Sequence, residues 1–292
     1  MRWAQITVLA PEESTEAVSF ALTSAGCAGV AEVTGRPCVV KGFVPPDDDE
    51  HAALRHVQQA CARLPECGLA AVDQVLLDYV DERDWANEWK KHFKPTEFGK
   101  RIVVKPTWEA YAGPADKLVI ELDPGMAFGT GGHPTTRLCL VALERLVTPG
   151  MRVADVGCGS GILAMAAAAL GAVHVDASEI DALPRRIASE NVAGSPYRNQ
   201  ISIMSDSEFA ALDARYELIV MNIVPDVINP LLPDVAPKLL PGALLITSGI
   251  VEERCADVVE AVERQGLTLL EVQEDEVWRA VIAQAGPAPH AS

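Results

Sequence analysis

The chain has 292 residues, with 24 Lys+Arg against 41 Asp+Glu and a formal net charge of −17. An apolar fraction of 49% and a charged fraction of 22% exclude wholesale disorder, and the length allows one large domain or two ordinary ones. The acidic balance speaks against direct nucleic-acid binding, which rests on clustered Lys/Arg, and favours a basic partner or a small ligand.

The N-terminus, Met1-Arg-Trp-Ala-Gln-Ile, lacks the apolar core of a signal peptide. The longest apolar run, from Ile162 to Val173, falls short of the roughly 20 residues a bilayer needs. Seven scattered cysteines form no Cys-x-x-Cys pair, and six histidines form no His-Glu-x-x-His. These features predict reduced thiols, no metal site, no membrane contact and a cytoplasmic location.

Residues 4–9 read as a strand, and Pro11-Glu-Glu-Ser opens an amphipathic helix to about residue 23. Strands follow at 28–33 and 37–43, then a helix over 51–64 and a strand over 72–80. The order β-α-β-β-α-β is that of a ferredoxin-like unit. Asp84-Trp-Ala-Asn-Glu-Trp-Lys-Lys-His-Phe predicts a short helix that ends at Pro95, with strands at 101–105 and 117–122. A glycine-dense loop, Asp123 to His133, then runs into a helix opened by Pro134, in the first turn where proline is favoured.

Beyond it, strands at 152–156, 173–178, 217–222 and 243–248 alternate with helices at 161–170, 181–192, 226–240 and 252–265. Two closing strands near 267–273 and 276–283 predict an antiparallel hairpin at one sheet edge. The alternation itself predicts an α/β fold with a parallel sheet covered on both faces. Pro230, Pro233 and Pro237 conflict with the helix over 226–240, since an interior proline costs about 3 kcal/mol. That helix is expected to be broken or shortened. Pro184 is acceptable, because with Asp181 as cap it lies in the first turn.

The chemistry concentrates in Val153-Ala-Asp155-Val-Gly157-Cys-Gly159-Ser-Gly161, a strand entering a glycine turn and then an Ala-rich helix. Gly157, Gly159 and Gly161 let backbone approach a ligand, and the helix start offers free amides. The spacing is Gly-x-Gly-x-Gly, not the Gly-x-Gly-x-x-Gly of dinucleotide enzymes. Asp155 suits an ammonium group. Glu179 ends the next strand, 179 − 157 = 22 residues on, where an acid takes both hydroxyls of an adenosine ribose. A ligand-free glycine turn is the plainer alternative, disfavoured by the two acids at strand ends.

Two further loops should reach the same carboxyl edge of the sheet. One is Phe128-Gly129-Thr130-Gly-Gly-His-Pro-Thr135-Thr136, where capping alone explains one threonine and His133 reads more readily as a hydrogen-bonding strut than as a base. The other is Met221-Asn222-Ile-Val-Pro225, where a strand-end Asn is usually turn chemistry. The position of Asn222 opposite the glycine loop raises it to a site candidate.

Together these residues resemble the S-adenosylmethionine site of Rossmann-like methyltransferases. More narrowly, the chain resembles the bacterial methyltransferases of ribosomal large-subunit protein L-eleven, the PrmA family. The stretches that carry the resemblance are Asp84 to Pro95, Leu122 to Thr136, Gly157-Cys-Gly-Ser-Gly-Ile-Leu-Ala, Asn222-Ile and Ser248-Gly-Ile. Gly132 and Glu179 stand where the family usually has Thr and Asp.

The resemblance implies a class I methyltransferase domain with a mostly parallel seven-stranded sheet, and S-adenosylmethionine as cofactor. Thr136, Gly157, Glu179 and Asn222 match the family's cofactor contacts, with Asp155, Gly159, Gly161, Phe128, Gly129 and Thr130 completing the expected site. Asn222 is also expected to hold the incoming amine, with the Ile223 backbone oxygen. The implied organisation is a ferredoxin-like substrate-recognition domain over 1–70, connecting elements over 71–116, the methyltransferase domain over 117–285 and a flexible tail over 286–292. The implied reaction is repeated methylation of lysine side chains and the N-terminal amine of protein L-eleven, free of the ribosome. Methylation of another protein amine, an amide or a base amine is the alternative, although Asn222-Ile-Val-Pro lacks the aromatic residue that would stack on a base. A non-catalytic cofactor-binding regulator is a further one.

Overall fold

The computed structural model describes residues 2–27, 29–33, 37–45, 48–67, 69–81, 94–122 and 133–287. The chain forms two compact units, residues 1–93 and 94–292. The predicted helix at 84–93 and the glycine-dense loop at 123–132, with Phe128, Gly129, Thr130 and Gly132, lie outside the described residues.

In the first unit, strand β1 (Arg2–Ala10) leads to helix α1 (Thr15–Ser24), strands β2 (Gly29–Val33) and β3 (Cys38–Val44), helix α2 (Glu50–Ala62) and strand β4 (Gln74–Asp81). The sheet order is β2-β3-β1-β4 with every neighbour antiparallel. Alternation along β1 buries Ala4, Ile6, Val8 and Ala10 on one face. Val18 and Leu22 of α1 and Ala53, Val57 and Cys61 of α2, each set at four-residue spacing, share that core. Asp49 caps α2 by accepting from the His51 and Ala52 amides. Because β4 pairs along β1 from Leu9 to Arg2, this sheet continues past the expected boundary at residue 70 and ends at residue 81.

The second unit starts with a three-stranded sheet: β5 (Thr96–Phe98) antiparallel to β6 (Ile102–Lys105), which is parallel to β7 (Leu118–Glu121). Next come α3 (Pro134–Leu146), β8 (Arg152–Val156), α4 (Ile162–Ala169), β9 (His174–Ser178), α5 (Ala182–Gly194) and β10 (Ile201–Met204). The chain continues through α6 (Asp206–Ala211), β11 (Tyr216–Asn222), α7 (Pro225–Val235), β12 (Leu239–Val251), α8 (Cys255–Arg264), β13 (Leu267–Asp275) and β14 (Trp278–Ala285). Seven strands form one sheet in the order β10-β9-β8-β11-β12-β14-β13. The pairs from β10 to β12 are parallel, and β14 runs antiparallel to both β12 and β13, as the expected edge hairpin.

Both faces of this sheet are covered. Val153, Leu218, Val220 and Ile246 face a core shared with α3 and α4, while Ala154, Ile219, Met221 and Leu245 face one shared with α7 and α8. Strand order reverses at β8, between β9 and β11, and that places a crevice at their carboxyl ends.

The helix expected over 226–240 is shorter. It begins at Pro225, keeps Pro230 and Pro233 inside and ends at Val235; a 3-10 turn carries Pro237 and Leu239 already starts β12. Ile228, Leu232 and Val235 lie on one buried face. Burying such side chains gains about 1.5–3 kcal/mol each, which offsets much of the proline penalty. Strands β5 and β10 and helix α6 are additions to the elements read from sequence. No described helix is long and apolar enough to cross a membrane. Cys27, Cys38, Cys61, Cys139, Cys158 and Cys255 are free thiols, and no described group of three or more His, Cys, Asp or Glu could hold a metal ion.

Candidate active site

The glycine loop follows β8 at the reversal of strand order. Gly157, Gly159 and Gly161 have φ of +75°, +53° and +82°, the left-handed region where glycine alone is unstrained. The amides of Gly157 and Cys158 both donate to the Ser178 carbonyl at 2.9 Å, which fastens the loop to the end of β9. At Gly157 a side chain is also excluded sterically, since a Cβ would stand 2.4 Å from Ile223 Cγ2. The loop at the end of β8 therefore touches the loop at the end of β11.

Asp155 is fully buried beneath this loop. Its Oδ2 accepts from the Ala164 amide at 2.9 Å, tying β8 to the first turn of α4, while Oδ1 is buried without a partner. Burial pushes its carboxyl up to about 7, and the nearby Glu179 charge adds to the rise. Glu179 accepts from the Gly159 amide through Oε2 at 3.0 Å and from the Asp181 amide through Oε1 at 3.1 Å. Each carboxylate oxygen has a second lone pair, so two acceptor positions remain. A vicinal diol can use both.

Asn222 closes β11 on the other side of the crevice. Its Nδ2 donates to Thr136 Oγ1 at 3.4 Å, and its Oδ1 is buried with no partner. Thr136, fully buried, lies in the first turn of α3. His133 is the N-cap of that helix: its Nδ1 accepts from the Thr135 amide at 3.3 Å and lies 2.7 Å from Thr135 Oγ1. An Nδ1 that accepts from an amide carries no proton, so the Thr135 hydroxyl donates to it. Burial lowers the imidazole pKa, in keeping with a neutral strut. Trp278, at the start of β14, meets the His133 ring edge-on with centroids 4.7 Å apart.

The crevice thus gathers Asp155 and the three glycines from the end of β8 and its loop, Glu179 from the end of β9, Asn222 from the end of β11 and Thr136 from the first turn of α3. The unpaired oxygens of Asp155 and Asn222, the open lone pairs of Glu179 and the glycine cradle fit a ligand with a ribose, a cationic end and a reacting group near Asn222. Sequence reasoning gave no role to Trp278 or to Ser248, whose Oγ lies 3.3 Å from both the Thr135 and Arg279 carbonyls. Nothing local marks Trp278, but Ser248 belongs to a recognisable Ser-Gly-Ile stretch.

The family model described as ribosomal protein L11 methyltransferase (PrmA) matches residues 2–286. A protein of that name from Pelotomaculum thermopropionicum is 40% identical over 308 positions, covering 97% of this chain and 99% of its own. Another from Bacillus cytotoxicus is 36% identical over 310 positions, covering 97% and 99%. The crystal structure of ribosomal protein L11 methylase from Lactobacillus delbrueckii subsp. bulgaricus is 31% identical, with a TM-score of 0.60, over 66% of this chain and 100% of that one. With the family match running nearly end to end and the glycine cradle, Glu179 and Asn222 around one crevice, the chain belongs to the ribosomal protein L11 methyltransferase (PrmA) family.

Proposed function

We propose that the protein methylates lysine side chains and the N-terminal amine of ribosomal protein L11 in the cytoplasm, acting on the protein free of the ribosome. The observation that carries this reading is the buried, unpartnered Oδ1 of Asn222, on the same crevice as the glycine cradle. An orphaned acceptor of this kind costs about 1–3 kcal/mol unless a donor reaches it. A substrate N–H is such a donor.

When bound, S-adenosylmethionine supplies a sulfonium-activated methyl whose carbon passes from sulfur to the amine nitrogen, leaving a neutral thioether. Glu179 would hold the ribose hydroxyls, the three glycines would admit the backbone-hugging part of the molecule, and Asp155 Oδ1 would face its ammonium. Asn222 orients the amine through its carboxamide oxygen, and orientation of this kind lowers the barrier by fixing the line of approach. A carboxamide takes no proton, so the amine must arrive neutral. Free lysine has a pKa of about 10.4 and an α-amine about 8, so solvent removes the proton beforehand. Recognition is assigned to the unit over 1–93, because a lone amine offers little binding area and selectivity must come from a remote surface. The net charge of −17 favours capture of a basic partner.

The test is mass spectrometry of unmethylated L11 incubated with enzyme and S-adenosylmethionine. Mass gains in steps of one methyl, mapped to lysines and the N-terminus, support the reading. No gain on L11, with gain on another ribosomal protein, overturns it.

A further inference from the structure

Ser248-Gly249-Ile250 takes no part in the chemistry just described, yet it lies against the residues that do. Along β12 the pairing with β14 breaks between Thr247 and Ile250, while Ser248 stays paired with Asn222 of β11. Gly249 sits in this bulge with φ of +86°. Bulges with a left-handed glycine redirect a strand locally and recur beside active sites.

Here the redirection brings backbone onto backbone. A Cβ on Gly249 would stand 2.4 Å from the Ile223 carbonyl oxygen, 2.8 Å from its carbonyl carbon and 3.1 Å from its nitrogen. The Ile223 amide donates to the Ser248 carbonyl at 3.2 Å. Ile223 also packs its Cγ2 against Gly157. Ser248, fully buried, reaches the carbonyls of Thr135 in α3 and Arg279 in β14. Ile223 thus lies against two glycines, one in the β8 loop and one in the bulge.

We infer that the Ser248–Gly249 bulge is a positioning device for methyl transfer: it sets the backbone from Asn222 through the Ile223 carbonyl, and with it the two oxygens that hold the substrate amine. The inference rests on the amine-holding reading of Asn222. The only residue type that allows this approach is glycine, for reasons of space as well as of φ. A methyl at 249 forces the Ile223 backbone or β12 to move, whereas no atom of Gly159, Gly161 or Glu179 is among those it meets first. The consequence is a loss in turnover that cofactor affinity does not share.

The experiment compares Gly249→Ala with Gly242→Ala, a glycine of the same strand at φ +79° whose added Cβ meets nothing within 4 Å. Both variants carry the left-handed strain; Gly249→Ala alone carries the collision. Melting curves, calorimetric affinity for S-adenosylmethionine, and kcat and KM on full-length L11 are measured for each. Displacements of this order in a reacting geometry cost about 10- to 100-fold, so Gly249→Ala is expected to lose that much kcat with cofactor affinity within about twofold. Gly242→Ala should stay within about twofold of the parent in both. A kcat for Gly249→Ala equal to that of Gly242→Ala overturns the inference, as does a cofactor affinity that falls in step with turnover.

If Gly249→Ala does not fold, Ser248→Ala decides: kcat should fall at least about threefold with cofactor affinity unchanged, and parental kcat overturns the inference. Asn222→Ala separates the two readings. Parental turnover in Asn222→Ala removes the amine-holding role itself. Loss in Asn222→Ala, with parental turnover in the bulge variants, removes only the bulge.

Discussion

Asp155→Asn tests the electrostatics beneath the glycine loop. In the folded, cofactor-free protein the Asp155 carboxyl titrates at about 7, against 3.8 for the same group in the open. The folded state therefore binds a proton that the unfolded state has already lost between those values. Stability from this group is greatest below pH 4, declines as pH rises towards 7 and is flat above it. A rise of about 3 units at 1.36 kcal/mol each sets the scale at about 4 kcal/mol. The asparagine oxygen can keep the 2.9 Å bond from the Ala164 amide, and it carries no charge at any pH. Urea unfolding of both proteins without cofactor, at about pH 5 and about pH 8, reads the effect as a difference of differences. The variant should gain on the parent by a few kcal/mol on going to the higher pH. With cofactor present the order should reverse, since an ammonium beside Oδ1 favours the carboxylate. Parallel stability curves for parent and variant across that range would refute the claim that Asp155 is buried at a cost to its charge.

Glu179→Ala should weaken S-adenosylmethionine by about 10- to 150-fold in calorimetry, the equivalent of about 1.5–3 kcal/mol for hydrogen bonds to a charged group; unchanged affinity would remove the ribose assignment. Tyr216, fully buried, donates its hydroxyl at 3.0 Å to Asp176, which also faces His174 and Arg152. Tyr216→Phe should therefore lower the urea-unfolding free energy by about 1.5–3 kcal/mol without touching cofactor affinity, and a loss too small to measure would make that bond dispensable. A fragment of residues 94–292 should fold and bind cofactor but lose methylation of intact L11; undiminished efficiency on L11 would end the recognition role of the first unit.

Much of the candidate site's local structure was legible because its residues sit at element ends with unambiguous local chemistry. Pro134 and Asp181 open their helices as expected, and the glycines of the β8 loop occupy left-handed positions. Short elements were harder. Strand β10 has four residues, three of them half-buried, so it offers no clear alternation, although Ser205-x-x-Glu208 just after it is a capping box that spells out the start of α6. In α7, the three prolines pointed to a broken or shortened helix; it is shortened to end at Val235, and burial of Ile228, Leu232 and Val235 carries it through Pro230 and Pro233. The approach of Gly249 to Ile223 was out of reach for a different reason. It depends on the register of two strands and on a bulge against a third, none of which leaves a local trace.

The number of methyls bears on how the amine is held. A neutral primary amine offers two N–H donors besides its lone pair, and the oxygens of Asn222 and Ile223 on adjacent residues can take both. Each transfer replaces one donor with a methyl, so a monomethylamine satisfies one oxygen and a dimethylamine none. Every buried acceptor left without a donor costs about 1–3 kcal/mol, which makes the first transfer the one most dependent on Asn222. Asn222→Ala should therefore slow the appearance of monomethyl product by about 10- to 100-fold, yet slow the conversion of dimethyl to trimethyl substrate far less. Time courses on unmethylated and on chemically dimethylated lysine substrates, read by mass spectrometry, separate the steps. An equal loss at both would mean that Asn222 acts on the cofactor side of the crevice, through Thr136, and not on the amine.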